Sequence, residues 1–286
     1  MKIDGNTRLA AVVAKPIKHS ISPFIHNLAF ESLGINGVYL AFEIDEVDLE
    51  QTIENIRRYN MWGINLSMPY KNKVLPYLYE IDDSAALSQA VNTIVNCDGR
   101  LIGYNTDGYG FFASLPVTFQ LKDSVITLLG GKGAATAILV YAVLNGAKKI
   151  NLFCKEKYLV ATKERLEHLR AISGTLIEIH SFENQNSLQQ KISESDLVVN
   201  TSNVGMNGKD LPVPKDIVFS SKQLIADIIY QPFETPFLAL AKKQGNQTIN
   251  GLGMLLFQAA RAFELWTGNQ MPIDSIWQEL EKMYKN

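Results

Sequence analysis

The chain has 286 residues, with 47% apolar and 20% charged side chains and a formal net charge of −2. This length exceeds one ordinary core and predicts two domains or one large α/β unit. The charge leaves no basic surplus, so neither nucleic acid nor an anionic membrane is an expected partner. The two cysteines, Cys97 and Cys154, adjoin apolar, strand-like stretches, which argues against a disulfide framework or a zinc site. The first 17 residues contain an apolar run too short for a membrane span and no signal-peptide layout, so the cytoplasm is the expected compartment.

In chain order, residues 8–13 and 37–44 read as strands around a helix that opens at Ser22-Pro23 and closes at Gly34. Ser22 is the expected N-cap of that helix. Residues 47–59 form an amphipathic helix pattern with Leu49, Ile53 and Ile56 on one side. A strand at 62–67 and a helix at 71–79 follow. Residues 91–97 and 101–105 flank Asp98-Gly99 and predict a hairpin.

After Asp107 the pattern becomes a regular β–α alternation. Strands are expected at 125–129, 149–153, 176–180, 196–200 and 224–228, and helices at 134–145, 159–171, 187–192 and 236–243. The strands are nearly pure apolar runs, as expected when helices cover both faces of a parallel sheet. This is the layout of a doubly wound, Rossmann-like fold. A last helical stretch starts near Gly253 and runs past Trp266.

Gly130-Gly131-Lys132-Gly133-Ala134 lies directly between a strand and a helix. Such a loop offers free N–H groups and the positive helix end to a pyrophosphate. Lys132 occupies the place of the second glycine in the usual spacing, where it either crowds the phosphates or swings its ammonium onto them. Lys71 follows a strand and Pro69, and Asp107 follows the hairpin; taken singly, each reads as a surface lysine and a helix cap. Ser20 stands at a strand–helix junction where its hydroxyl can meet a carboxylate. His19 and His26 lack the spacing and the third ligand of a metal site, so no metal is expected.

Together these segments resemble the shikimate dehydrogenase family almost end to end. The stretch from Pro16 through Ser20, Ser22 and Pro23 to His26-Asn27 is similar to that family's substrate-carboxylate motif. Asn65-Leu-Ser67-Met-Pro69-Tyr-Lys71 resembles its catalytic-lysine motif, with Ser67 where threonine is usual. Ala90-Val-Asn92-Thr93 and Asn105-Thr-Asp107-Gly108 resemble its asparagine and aspartate positions. Residues 200–206, 227–232 and 251–258 resemble its later motifs. The departures are Ala14 for a usual glycine, Lys132 in the glycine loop, and Cys154-Lys155-Glu156 where Asn-Arg-Thr often grips the 2′-phosphate of NADP.

The resemblance implies an α/β fold. Residues 1–107 and 251–286 would form the substrate-binding catalytic domain, with C-terminal helices returning to it, and residues 108–250 a Rossmann-like nucleotide-binding domain. It implies hydride transfer between shikimate or 3-dehydroshikimate and NADP or NAD, a step of aromatic amino-acid biosynthesis, by a monomer or homodimer. A quinate/shikimate dehydrogenase using NAD is the nearest alternative, and a non-catalytic sensor of a shikimate-like ligand a more distant one. Lys71 would transfer the proton and Asp107 would orient it. Ser20, Ser22, Ser67, Asn92, Tyr230 and Gln258 would hold the substrate. Gly130, Gly131, Lys132, Gly133, Ala134, Lys155 and Gly253 would hold the cofactor.

Overall fold

The computed structural model describes residues 3–172 and 174–285. The chain divides into two compact units, residues 1–110 with 256–281 and residues 111–255 with 282–286.

The first unit contains β1 (Arg8–Ala14), α1 (Ser22–Ser32), β2 (Gly37–Glu43), α2 (Leu49–Arg58), β3 (Gly63–Leu66), β4 (Glu80–Ile81), α3 (Asp83–Ser88), β5 (Thr93–Cys97) and β6 (Arg100–Tyr104). Helix α4 (Asp107–Ala113) leads out of it. The six strands form a mixed sheet in the order β2-β1-β3-β5-β6-β4. Strands β1, β2 and β3 are parallel, whereas β5 runs antiparallel to β3 and β6. Ala11 and Val13 of β1 share one apolar cluster with Leu49, Ile53 and Ile56 of α2, the stripe that the sequence marks out. The β5–β6 turn places Asp98 at φ 51° and Gly99 at φ 86°, the two positive φ angles that a two-residue hairpin of this kind requires.

The helix expected over 71–79 does not form. The segment makes turns and then a 3₁₀ turn at Leu75–Tyr77. Pro76 has no N–H to give to Asn72, which removes the bond that would carry an α-helix onward. A short helix that the periodicity did not reveal, α3, follows instead. Asp82 caps it by accepting from Ser84 N at 2.9 Å.

The second unit begins at β7 (Val125–Leu129) and continues through α5 (Gly133–Leu144), β8 (Lys149–Cys154), α6 (Leu159–Ile172), β9 (Leu176–Ser181), α7 (Gln185–Ser193), β10 (Leu197–Asn200), β11 (Leu224–Asp227), α8 (Pro236–Lys243) and β12 (Gln247–Ile249). Its sheet has the order β12-β11-β10-β7-β8-β9, all parallel. This is a doubly wound sheet whose strand order reverses between β7 and β10. Strand β12, three residues long, was too short to show in the sequence pattern. Phe153, Val198, Ile225 and Phe237 lie in one core cluster with Leu188 and Ile192 of α7.

Helices α9 (Leu252–Thr267) and α10 (Ile273–Lys285) close the chain. In the first unit, Phe263 packs on Phe30, and Trp266 donates to Ile94 O at 2.9 Å. No described helix is long and apolar enough to cross a membrane.

Candidate active site

Lys71 and Asp107 are 36 positions apart in sequence, and the first unit brings them together. Lys71 leaves the turn after β3, and Asp107 opens α4 just after β6. Lys71 Nζ lies 2.7 Å from Asp107 Oδ2. Their side chains are 30% and 13% exposed, so the pair is sheltered but reachable from solvent.

The other oxygen of Asp107 is held by Asn92, whose Nδ2 donates to Oδ1 at 2.7 Å. Asn92 is itself fixed on every side. Its Oδ1 accepts from Thr106 N at 2.8 Å and from the Thr93 hydroxyl at 2.9 Å, and its Nδ2 also donates to Thr106 Oγ1 at 3.0 Å. Behind it, Asn65 donates to Thr93 Oγ1 at 3.0 Å and accepts from the Tyr39 hydroxyl at 2.6 Å. All five partners from Tyr39 to Thr106 are buried. A buried polar chain satisfied at each link holds a carboxylate in one orientation. Asn65, Thr93 and Thr106 lie within the motifs that carry the family resemblance, but the sequence does not single them out as site residues and does not mark Tyr39 at all, because their partners are far away in sequence.

At the start of α1 Ser22 does not cap the helix as the sequence suggests. Ile21, not Ser22, is the N-cap residue, and no side chain caps the helix. Ser20 Oγ instead accepts from Ser22 N at 3.3 Å. Burial raises the pKa of the Tyr39 hydroxyl well above its ordinary value, and the neighbouring Ser22 hydroxyl draws it partly back. With Ile21 as the cap, Pro23 is the second helical residue rather than the first, where its missing N–H still costs no helical bond. Both serines are half-buried. One turn on, His26 is fully buried, stacked on Tyr39 at 4.2 Å and close to Phe263 and Trp266. Burial pushes its pKa down to about 3. Neither ring nitrogen has a hydrogen-bond partner, so His26 acts as an aromatic core residue. Ser67 is half-buried just beyond β3, and Gln258 is half-buried on α9.

In the second unit the glycine loop joins β7 to α5 at the point where strand order reverses. Gly130 has φ 127°, a conformation that favours glycine, and a Cβ there would lie 3.1 Å from Ser202. Lys132 is different: its φ of −94° is ordinary for any residue, and its side chain is exposed. The backbone therefore does not require glycine at 132.

The loop carbonyls are anchored in succession. Gly130 O accepts from the Thr201 hydroxyl at 2.9 Å, Gly131 O from the Arg165 guanidinium, and Lys132 O from Thr136 N at 3.0 Å. In a trans peptide the N–H points opposite to the C=O. The N–H groups of Gly131, Lys132 and Gly133 thus face away from these anchors, and none has an acceptor among the described residues. A row of free N–H groups at a helix start is suited to an anion.

Lys155 and Glu156 are both exposed at the carboxyl end of β8, the strand beside β7. Lys157 lies over the Tyr158 ring at 5.0 Å. Asn200 and Asp227 end β10 and β11; Asp227 accepts from Asn200 Nδ2 at 3.1 Å and from the Thr235 hydroxyl at 2.8 Å. Burial raises its pKa to about 6 against these bonds. Tyr230 is half-buried edge-on to Tyr284. Gly253 has a packing role, because a Cβ there would come within 2.5 Å of the Ser114 Cβ.

Residues 12–94 match the model of the shikimate dehydrogenase substrate binding domain, and residues 251–281 match that of the shikimate 5′-dehydrogenase C-terminal domain. The chain is 59% identical over 288 residues to a shikimate dehydrogenase (NADP(+)) of Streptococcus mutans, covering 100% of both. It is 58% identical to the protein of the same name in Streptococcus thermophilus, again over 100% of both. Its structure is similar to the crystal structure of a shikimate 5-dehydrogenase from Listeria monocytogenes in complex with shikimate and NAD, with a TM-score of 0.94, 38% identity and 98% of each chain covered. With two reversed-order sheet neighbours carrying the glycine loop, a lysine–aspartate pair in the other unit, and these full-length matches, the chain belongs to the shikimate dehydrogenase family.

Proposed function

We propose that this protein catalyses the reversible reduction of 3-dehydroshikimate to shikimate with NADP or NAD. The observation that carries the reading is the Lys71–Asp107 pair, held by Asn92, in a chain so similar to shikimate dehydrogenases. Residues 1–107 and 251–286 form the substrate domain in this reading, and residues 108–250 the dinucleotide domain.

The glycine loop fits a dinucleotide: its free N–H groups would meet the pyrophosphate, and Lys132 and Lys155 add positive charge at exposed positions. The bound nicotinamide supplies or accepts the hydride. The protein's own residues handle the proton and the alignment. As the substrate ketone is reduced, its oxygen gains negative charge. Lys71 Nζ stabilises that charge and donates the proton. Asp107 keeps the ammonium pointed at the reacting oxygen, and Asn92 keeps Asp107 in place. In oxidation the same groups act in reverse. Ser20 and Ser22 hold the substrate carboxylate, and Ser67 and Gln258 read ring hydroxyls. Tyr230 is a further substrate-binding residue in this reading.

The test follows nicotinamide absorbance with shikimate and quinate, each with NADP and NAD. Turnover of shikimate is the expected result. Turnover of quinate alone would replace this reading with a quinate dehydrogenase, and no turnover with any pair would refute it.

A further inference from the structure

Arg165 sits on α6, in the charged run Lys163-Glu164-Arg165, where sequence suggests a solvated helix surface. The structure turns it inward. One arm of its guanidinium donates to Gly131 O and the other to Thr136 Oγ1, at 2.6 Å. Thr136 in turn bonds Lys132 O through both its N–H, at 3.0 Å, and its hydroxyl, at 3.2 Å. Arg165 thus braces the loop before Lys132 and the first turn of α5 after it. It is half-buried, and among the described residues it has no carboxylate partner.

Two consequences follow. The bond to Gly131 O turns that carbonyl toward α6, which aims the Lys132 N–H to the other side of the peptide plane. The uncompensated guanidinium charge stands directly behind a row of N–H groups, and it adds to the positive helix end there. A lysine cannot do both, because only the planar fork spans two acceptors.

We propose that Arg165 is a positioning residue for the dinucleotide: it sets the glycine loop so that the N–H groups of Gly131, Lys132 and Gly133 converge on the pyrophosphate, and it supplies the charge that no carboxylate cancels. This rests on assigning the loop to the dinucleotide. It also separates two duties. Arg165 serves the pyrophosphate, which NAD and NADP share, whereas Lys155 stands at the end where they differ.

Calorimetric titration of NADP and NAD into the wild type, Arg165→Met and Arg165→Lys tests this. A hydrogen bond to a charged group is worth enough to change affinity roughly tenfold to a hundredfold. Arg165→Met weakens both dinucleotides by a similar factor within that range, and Arg165→Lys weakens both less. The KM for shikimate and kcat at saturating dinucleotide stay near the wild-type values. Unchanged affinities overturn the proposal, as does a loss confined to NADP, or a fall in kcat with affinities intact. Thr136→Val, nearly the same shape, removes one acceptor while leaving the guanidinium; it weakens both dinucleotides modestly and serves if Arg165→Met does not fold. Gly133→Val separates this from a failure of the loop assignment. A Cβ at 133 meets nothing within 4 Å, so a side chain can start there without a clash and stand beside what binds at the loop, and a melting curve checks that the variant folds. Normal dinucleotide binding by Gly133→Val would refute the loop assignment itself.

Discussion

Asn92 bonds one oxygen of Asp107 at 2.7 Å while Lys71 bonds the other at the same distance. The carboxylate therefore cannot turn without breaking a bond to one of them, and the lysine has a defined place from which to act. Removing the ammonium by Lys71→Ala should lower kcat by at least about a hundredfold, the lower end for a placed proton-transfer group. Shikimate affinity should change far less. Steady-state kinetics with calorimetric binding checks both, and near-normal turnover would remove Lys71 from the chemistry.

Asn92→Ala should act on both catalysis and stability. It frees Asp107 Oδ1 and leaves Thr106 N without its acceptor in a buried site. An orphaned buried polar group costs about 1–3 kcal/mol. The expected outcome is a lower melting temperature with a lower kcat, read by calorimetry and kinetics on the same sample. A stability loss without any loss of kcat would show that Asn92 only supports the fold.

For the carboxylate, Ser20→Ala and Ser22→Ala should each raise the KM for shikimate with little effect on the KM for dinucleotide. Neither removes a helix N-cap side chain, but Ser20→Ala loses the bond from Ser22 N. Melting curves separate folding from binding. An unchanged shikimate KM in Ser20→Ala would place Ser20 outside the site.

Lys155 is exposed beside Glu156 at the end of β8, where a Rossmann fold reads the ribose 2′ position. Use of both cofactors with a modest preference for NADP is the expected behaviour. Lys155→Glu should then lose NADP activity and keep NAD activity. The specificity constants are best compared at one low salt concentration, since screening weakens exposed charge contacts. If the ratio does not move, Lys155 does not read the phosphate.

His26 makes stability depend on pH. Its folded pKa of about 3 lies below the ordinary value of 6.5 because burial disfavours the charged ring. The unfolded chain therefore binds a proton more readily. The stabilising contribution is present above pH 6.5 and is lost as pH falls from there toward 3. The full span corresponds to something on the order of 5 kcal/mol. His26→Phe keeps a ring against Tyr39 and removes the titration. Urea unfolding from pH 7 to 4 should show a shallower loss of stability in the variant, whatever overpacking does to its absolute value. Parallel curves would show that other groups set the acid response.

Much of the fold was legible because its signals are local. The apolar run before the glycine loop, the helix after it, and Asp98-Gly99 between alternating strands each follow from neighbours within a few residues. The order of the motifs around Lys71 and Asp107 was also readable along the chain. Other features needed the tertiary structure. The bond from Ser22 N to Ser20 Oγ replaces the cap expected of Ser22, and β12 pairs with β11, a partner that only the folded chain supplies. The chain from Tyr39 through Asn65 and Thr93 to Asn92 joins strands far apart in sequence, and the reach of Arg165 on α6 to Gly131 in the glycine loop spans 34 residues. The sequence determined which residues could form strands, turns and helices, because propensity and periodicity act over short spans. Which buried donor meets which acceptor was decided by the folded structure, because a hydrogen bond takes its value from the geometry and burial of both partners at once.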